Sequence, residues 1–204
     1  GINTKLLDSK INFNGVIFYS YREDQQVLIS TQTDPSDPNT FSFLTQNAAE
    51  GVNHGLEINM DIDIRESLSA FLNLGMLKTE IKNWQSRQDL EGRAQAHAPE
   101  RSYALGLNWA PTSHTYLAID FTGKSSFYYS DSHNNKSKSY VLTNLNLGYV
   151  KNNWNYELWA RNIFDEYYSV RGFYFGNEAP NFIDTLYKRH GDPKHIGLSI
   201  RYDF

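Results

Sequence analysis

The sequence contains no cysteine. Disulfide staples, thiolate metal sites and a cysteine nucleophile are thereby excluded, although the absence assigns no compartment. A basic surplus is missing as well: 19 Lys and Arg stand against 23 Asp and Glu, for a formal charge of -4. A phosphate-binding domain ordinarily carries a basic excess or stripe, so nucleic acid is not an expected partner. No apolar run approaches the roughly 18 residues that a membrane-crossing helix needs, and mean hydropathy is -0.58. A helical membrane protein is therefore excluded. A transmembrane barrel is not, because its strands alternate lipid-facing and water-facing residues that dilute each other in any average. The stretch from Gly1 to Lys5 has none of the features of a signal peptide, as expected of a chain that was processed or begins in mid-protein.

What the chain does have is aromatic residues, at 15%, with 14 Tyr against 2 Met. Tyr and Trp settle at membrane interfaces, with one end apolar and one end wet. It also has long runs with a period of two. Leu56, Ile58, Met60, Ile62 and Ile64 alternate with Glu57, Asn59, Asp61 and Asp63, which places one set on each face of a strand. Comparable rows start at Leu68, Tyr103, Thr115, Val141 and Trp154, and a last one runs from Ile196 through Leu198, Ile200 and Tyr202 to Phe204. An earlier strand is expected from about Lys10 to Ile29, with a bulge near Arg22 to Asp24 where the alternation slips, and residues 1–6 form a strand stub.

About eight full strands result, many of roughly 10 to 13 residues, against a usual length near 5 or 6. Tight connections at Leu7 to Ser9, Arg65 to Ser67, Pro111 to Ser113 and Lys151 to Asn153 alternate with long ones at about 30–53, 80–100, 124–138 and 175–193. Short turns at one end and long loops at the other are the layout of a transmembrane barrel, with the short set periplasmic. Trp109, Tyr149, Trp154, Tyr202 and Phe204 lie beside the short turns as an inner aromatic girdle, and Tyr19, Tyr21, Phe121 and Tyr140 form the expected outer one. A soluble β-sandwich alternates in the same way. Strand length, alternating loop length and the confinement of Glu57, Asp61, Asp63, Glu157, Arg161 and Arg201 to one set of faces favour the barrel, with these six side chains facing its lumen.

Catalytic and metal chemistry find little footing. None of His54, His97, His114, His133, His190 and His195 has a second and third ligand at a recognised spacing. No nucleophile-elbow sequence surrounds a serine. No enzyme activity, cofactor or metal is expected.

The stretch from Leu158 to Tyr168, LWARNIFDEYY, resembles the penultimate-strand motif of TonB-dependent outer-membrane receptors. The segment GDPKHIGLSIRYDF from Gly191 to Phe204 is similar to their last strand. FNGVIFYSYREDQQV from Phe13 to Val27 resembles an earlier strand of that family, and HAPERSYALGLNW from His97 to Trp109 an Ala-Pro strand start. The resemblance implies an all-β antiparallel meander forming the C-terminal part of a transmembrane β-barrel across residues 1–204, with signal peptide, plug and N-terminal strands absent. It implies residence in a Gram-negative outer membrane and energy-coupled uptake of a scarce ligand, with a ferric siderophore or similar iron chelate as the default. The implied partners are outer-membrane lipid, the TonB complex through the missing N-terminal region, and the barrel-assembly machinery through a signal at Tyr202 and Phe204. A passive channel or a soluble β-sandwich binding module are the alternative readings.

The long loops are richer in recognition chemistry, because Trp84, Arg87, Arg93, Phe127, Tyr128, Tyr129 and His133 combine aromatic surface with cationic donors suited to anionic ligands, although a single loop aromatic more often packs the loops or the outer girdle. The cluster of Arg171, Tyr174, Lys188, Arg189 and His190 is the leading ligand-binding candidate. A final expectation concerns register. Facing residue numbers in the last two strands should sum to about 358 within a few residues, making Glu157 and Arg201 neighbours.

Overall fold

The structure, a computed structural model, describes residues 1–204 except 35, 38, 39, 86, 132, 177 and 184; for 27–32, 41, 43, 44, 46–48 and 175 it describes the backbone alone. One antiparallel sheet holds β1 (Ile2–Leu6), β2 (Ile11–Gln32), β3 (Phe41–Arg65), β4 (Leu68–Trp84), β5 (Arg101–Thr112), β6 (Thr115–Lys124), β7 (Tyr140–Lys151), β8 (Trp154–Arg161) and β11 (His195–Tyr202), each paired with its sequence neighbour apart from the step from β8 to β11. Between those two, β9 (Ser169–Phe175) and β10 (Thr185–His190) form a separate hairpin. The expected meander is present, and the slip near Arg22 to Asp24 is a β-bulge with Asp24 at φ 51°.

Register explains how the alternation acts. Leu6, Ile11, Ile62, Ala70, Leu107, Ile119, Leu145, Ala160 and Ile196 are successive cross-strand partners, one apolar residue from each of the nine strands. The adjoining row of Leu117, Leu147, Leu158 and Leu198 repeats this. Among the described residues no strand of the nine packs across its face on another; each touches only its pairing neighbours. Leu147, Leu158 and Leu198 therefore remain about half or more exposed, at 47%, 50% and 64%. A sandwich would bury them, so that alternative fails.

The other face is polar. Glu57, Asp61, Asp63, Glu157, Arg161 and Arg201 all fall on it by register. Aromatic rings fill the spaces that glycines leave there. A Cβ at Gly148 would come within 1.9 Å of the Tyr116 ring, and one at Gly197 within 2.2 Å of Trp159. The Tyr116 hydroxyl donates to Glu157 at 2.9 Å, the Trp159 indole to Ser199 at 3.1 Å, and Asn144 to Asp120 at 2.7 Å.

Three expectations need correction. β2 and β3 stay paired to Gln32 and Phe41, so the connection is 33–40 and not 30–53. Facing residues of β8 and β11 sum to 356, inside the expected margin, but Glu157 stands opposite Ser199, while Arg201 faces Asn155 and pairs instead with Asp203 at 3.2 Å. Tyr140 faces Lys124 on the polar side, where its ring lies 4.5 Å from that of Tyr168, and is not part of an outer girdle. The inner aromatics do cluster on the apolar face, with Trp154 4.8 Å from Tyr202, and Tyr202 5.1 Å from Phe204.

Candidate functional site

The long connections at one end pack into a crown. Its centre is Ala49, Ile81, Trp84 and Leu90, the last with no exposed surface, on the extended ends of β3 and β4 and a short 3-10 turn over Gln88–Leu90. Arg93 ties this part to the 125–139 loop. Its guanidinium donates to the His133 and Ser130 carbonyls at 3.0 and 3.1 Å, and to Asn134 and Asp131 side chains at 2.9 and 2.8 Å, and it lies 4.3 Å from the centroid of the Tyr128 ring. Its side chain is 8% exposed. A buried guanidinium needs such partners, because an unpaired one would cost several kcal/mol. Lys136 lies against the same Tyr128 ring at 4.2 Å.

Sequence had marked Trp84, Arg93, Phe127 and Tyr129 for recognition. They belong to the packing of the crown, the outcome the sequence favoured for any single loop aromatic: Trp84 is 3% exposed, Phe127 7% and Tyr129 2%. Arg87 is paired with Asp89 at 2.9 Å, and the guanidinium holds that carboxyl below its usual range. Burial pushes the His133 imidazole down, with the Arg93 charge acting in the same direction.

The proposed loop at 175–193 is for the most part the β9–β10 hairpin, which keeps the leading candidates on regular strands. Arg171 stands directly opposite Arg189, and Phe173 opposite Tyr187, so these four share one face. Gly172, Tyr174 and Lys188 belong to the other face. That face docks on the 125–139 loop: the Tyr129 ring occupies the space beside Gly172, its hydroxyl bonds Ser169, and Tyr174 accepts from Asn135 at 2.6 Å while packing edge-on against His133. His190 stacks on Tyr167 and bonds its hydroxyl at 2.8 Å. The structure thus brings Arg171 and Arg189 together as exposed cations, while Tyr174 and His190, exposed as well, are held in place by these ring and hydrogen-bond contacts. Among the described residues neither arginine has an ion-pair partner.

Below the hairpin, the polar face holds a cavity of about 550 Å³ lined by Glu57, Asn59, Asn73, Lys124, Tyr140 and Tyr168 among others. Lys124, Tyr140 and Tyr168 were not singled out from the sequence as site residues. Parity alone could have placed Tyr140, since it is one residue out of step with the Val141 row. Among the described residues no three His, Asp or Glu side chains converge as a metal site.

A sequence family described as TonB dependent receptor-like, beta-barrel matches residues 1–163. The chain belongs to the TonB-dependent receptors, in their β-barrel domain. Solved structures agree on the fold. The ferric yersiniabactin uptake receptor FyuA of Yersinia pestis superposes with a TM-score of 0.77 at 14% identity, over 99% of this chain and 29% of its own. The siderophore receptor PiuA of Acinetobacter baumannii gives 0.76 at 16%, over 98% and 27%. The copper transporter OprC gives 0.73 at 12%, over 96% and 30%. The chain spans less than a third of the length of these structures. The family is one of outer-membrane transport and not of catalysis.

Within this receptor barrel the Asn-Ile-Phe-Asp motif is a turn organised by one side chain. Asn162 sits at φ 48° and is 4% exposed; its side chain accepts from the Glu166 N–H at 2.8 Å and donates to the Glu166 and Asp192 carbonyls at 3.0 and 3.2 Å. Asp165 accepts from the Lys194 N–H at 2.8 Å. Asn tolerates the left-handed conformation that such a turn requires. These bonds fix where the β9–β10 hairpin leaves the wall.

Proposed function

We propose that this chain is the C-terminal segment of a longer outer-membrane receptor that takes up an anionic iron chelate by energy-coupled transport, with the Arg171–Arg189 pair as its first point of capture. The observation that carries this reading is that pairing. Like charges directly opposite one another on a hairpin are destabilising by themselves, whereas two adjacent guanidiniums present forked donors that match carboxylate or catecholate oxygens. Phe173 and Tyr187 on the same face add aromatic surface. Lys188 lies on the opposite face and adds charge to the hairpin as a whole.

In this reading the apolar rows meet outer-membrane lipid, and Glu57, Asp61, Asp63, Glu157, Arg161 and Arg201 line a hydrated lumen. The short turns are periplasmic, Tyr202 and Phe204 present the C-terminal signal to the assembly machinery, and coupling to TonB runs through a region preceding this segment. The iron-chelate receptors among the structural relatives support the ligand class; the copper transporter keeps the metal itself open to test.

The test uses the full-length receptor with a panel of 55Fe-loaded citrate, catecholate and hydroxamate chelates. Arg171→Ala with Arg189→Ala should weaken binding of the anionic chelates by about ten- to a hundredfold, as loss of charge-assisted hydrogen bonds does, with unchanged heat-modifiable gel mobility. Unchanged affinity would reduce the hairpin to a structural cap. Uptake that persists without the energy-coupling complex would instead indicate a passive channel.

A further inference from the structure

The β9–β10 hairpin carries the paired arginines, yet among the described residues it touches no other strand. A two-stranded hairpin standing alone in water is marginally stable at best. Its register keeps Arg171 beside Arg189, but register does not aim them. Aim comes from the docked face, where Gly172 and Tyr174, with Ser169 at the base, meet Tyr129, His133 and Asn135 of the 125–139 loop. Within that loop the bridge of Tyr128 to Lys136 is all the strand pairing there is among the described residues. The segment 93–97 pins it. Arg93 supplies four of the bonds across this contact, spread over Ser130, Asp131, His133 and Asn134. The Ala96 and His97 N–H groups add one each, to Asp131 at 3.2 Å and to the Tyr128 carbonyl at 2.9 Å. The two sides meet at His133, whose carbonyl accepts from Arg93 while its ring packs on Tyr174 with centroids 4.8 Å apart.

We propose that Arg93 is a positioning residue for the capture pair: it fixes the 125–139 loop, and through His133 and Asn135 the loop fixes the direction in which Arg171 and Arg189 point. Arg93 donates to no hairpin residue among the described ones, so it acts through the loop and not on the chelate. The physical basis is the entropy of ordering. A binding face held in place before the ligand arrives has already lost the freedom that a loose one gives up on binding. A guanidinium suits the task, because its planar fork reaches acceptors on four residues at once, whereas a lysine ammonium has three donors at one point. The inference rests on the reading of Arg171 and Arg189 as the point of capture, and one of its two readouts needs no ligand.

The experiment compares the full-length receptor with its Arg93→Gln, Arg93→Lys and Asn135→Ala variants, by hydrogen exchange of 169–175 and 185–190 and by binding of 55Fe-citrate at several salt concentrations. Arg93→Gln should speed exchange of both strands by about tenfold, as an undocked hairpin opens more often. It should also weaken 55Fe-citrate binding by about tenfold. The slope of affinity against salt should not change, because the arginines that meet the anion are intact, whereas Arg171→Ala with Arg189→Ala should flatten it. Arg93→Lys should behave as Arg93→Gln does. Asn135→Ala, which cuts the same chain of contacts at its far end, should move both readouts in the same direction with Arg93 in place. Unmoved exchange in Arg93→Gln or in Asn135→Ala overturns the proposal. So does affinity restored by lysine, which would show that charge alone acts at position 93. Faster exchange in the variants of a receptor whose wild type binds no 55Fe-citrate would leave the positioning intact and count instead against the capture reading.

Discussion

Leu158 in the wall is 50% exposed while Leu90 in the crown is fully buried. Two leucines of one chain thus meet opposite fates, and the difference separates the two regions of the molecule. The wall has regular strands, each hydrogen-bonded to its neighbours in the sheet, and apolar rows that touch no other element. The crown has short, irregular segments around a buried cluster and an arginine with five polar or aromatic partners. Hydrophobic burial builds the crown as it builds any water-soluble domain. It cannot build the wall in water. The wall makes physical sense when hydrocarbon supplies the missing partner and the strands pair their backbone groups with one another.

The largest expected effect breaks the crown alone. Leu90→Ala should cost about 2–5 kcal/mol of local stability, the usual range for truncating a fully buried leucine. Limited proteolysis should then cut within 85–100, with the heat-modifiable band of the barrel retained. Loss of that band would mean that the two regions are not separable.

A second substitution tests the wall. Leu158→Arg, near the middle of β8 on the apolar face, should destabilise the lipid-inserted receptor by about 2–4 kcal/mol in denaturant titration from vesicles. An ordinary exposed position in a soluble protein would respond within roughly 0.5 kcal/mol. A response that small would place this face in water.

The wall was legible in sequence because an exposed and a wetted face must alternate residue by residue, as Leu56 to Ile64 does. The turns were legible for the same reason, since the alternation stops at each. Register was not. A one-residue slip moves every side chain to the other face, but a two-residue slip preserves both faces, so periodicity could not tell a sum of 356 from 358, nor Ser199 from Arg201 as the partner of Glu157. The extension of β2 and β3 past Ile29 was hidden because Thr31 to Asp34 and Asn47 to Gly51 carry turn-forming residues without a period of two; the partner strand supplies the pairing. Loop residues were ambiguous for a different reason. An aromatic beside a cation suits an anion or a neighbouring loop equally, and only the fold assigns Arg93 and Tyr129 to the loop while leaving Arg171 and Arg189 without an ion-pair partner among the described residues.

The smallest expected effect is a pH dependence confined to the crown. His133 lies in the 125–139 loop, and burial lowers its proton affinity below that of the unfolded chain. As pH falls through the unfolded value of about 6.5, the unfolded segment binds the proton first, so stability of the crown declines on the acid side and is fully present above it. Hydrogen exchange of 125–139 should therefore accelerate between pH 7.5 and 5.5 beyond the intrinsic rate change, with β5 to β8 unaffected. His133→Gln should flatten that difference.

The central claim, that one face of this sheet meets lipid, is open to a test using tryptophans already in place. Trp109 and Trp154 lie on the apolar face, Trp159 on the polar face, and Trp84 inside the crown. Receptors retaining one of the four at a time can be reconstituted in vesicles of brominated phospholipid and their fluorescence compared with that in unbrominated vesicles. Strong quenching of Trp109 and Trp154, with Trp159 and Trp84 left bright, is the predicted result. Trp159 quenched as strongly as Trp154, or all four unquenched, would contradict it.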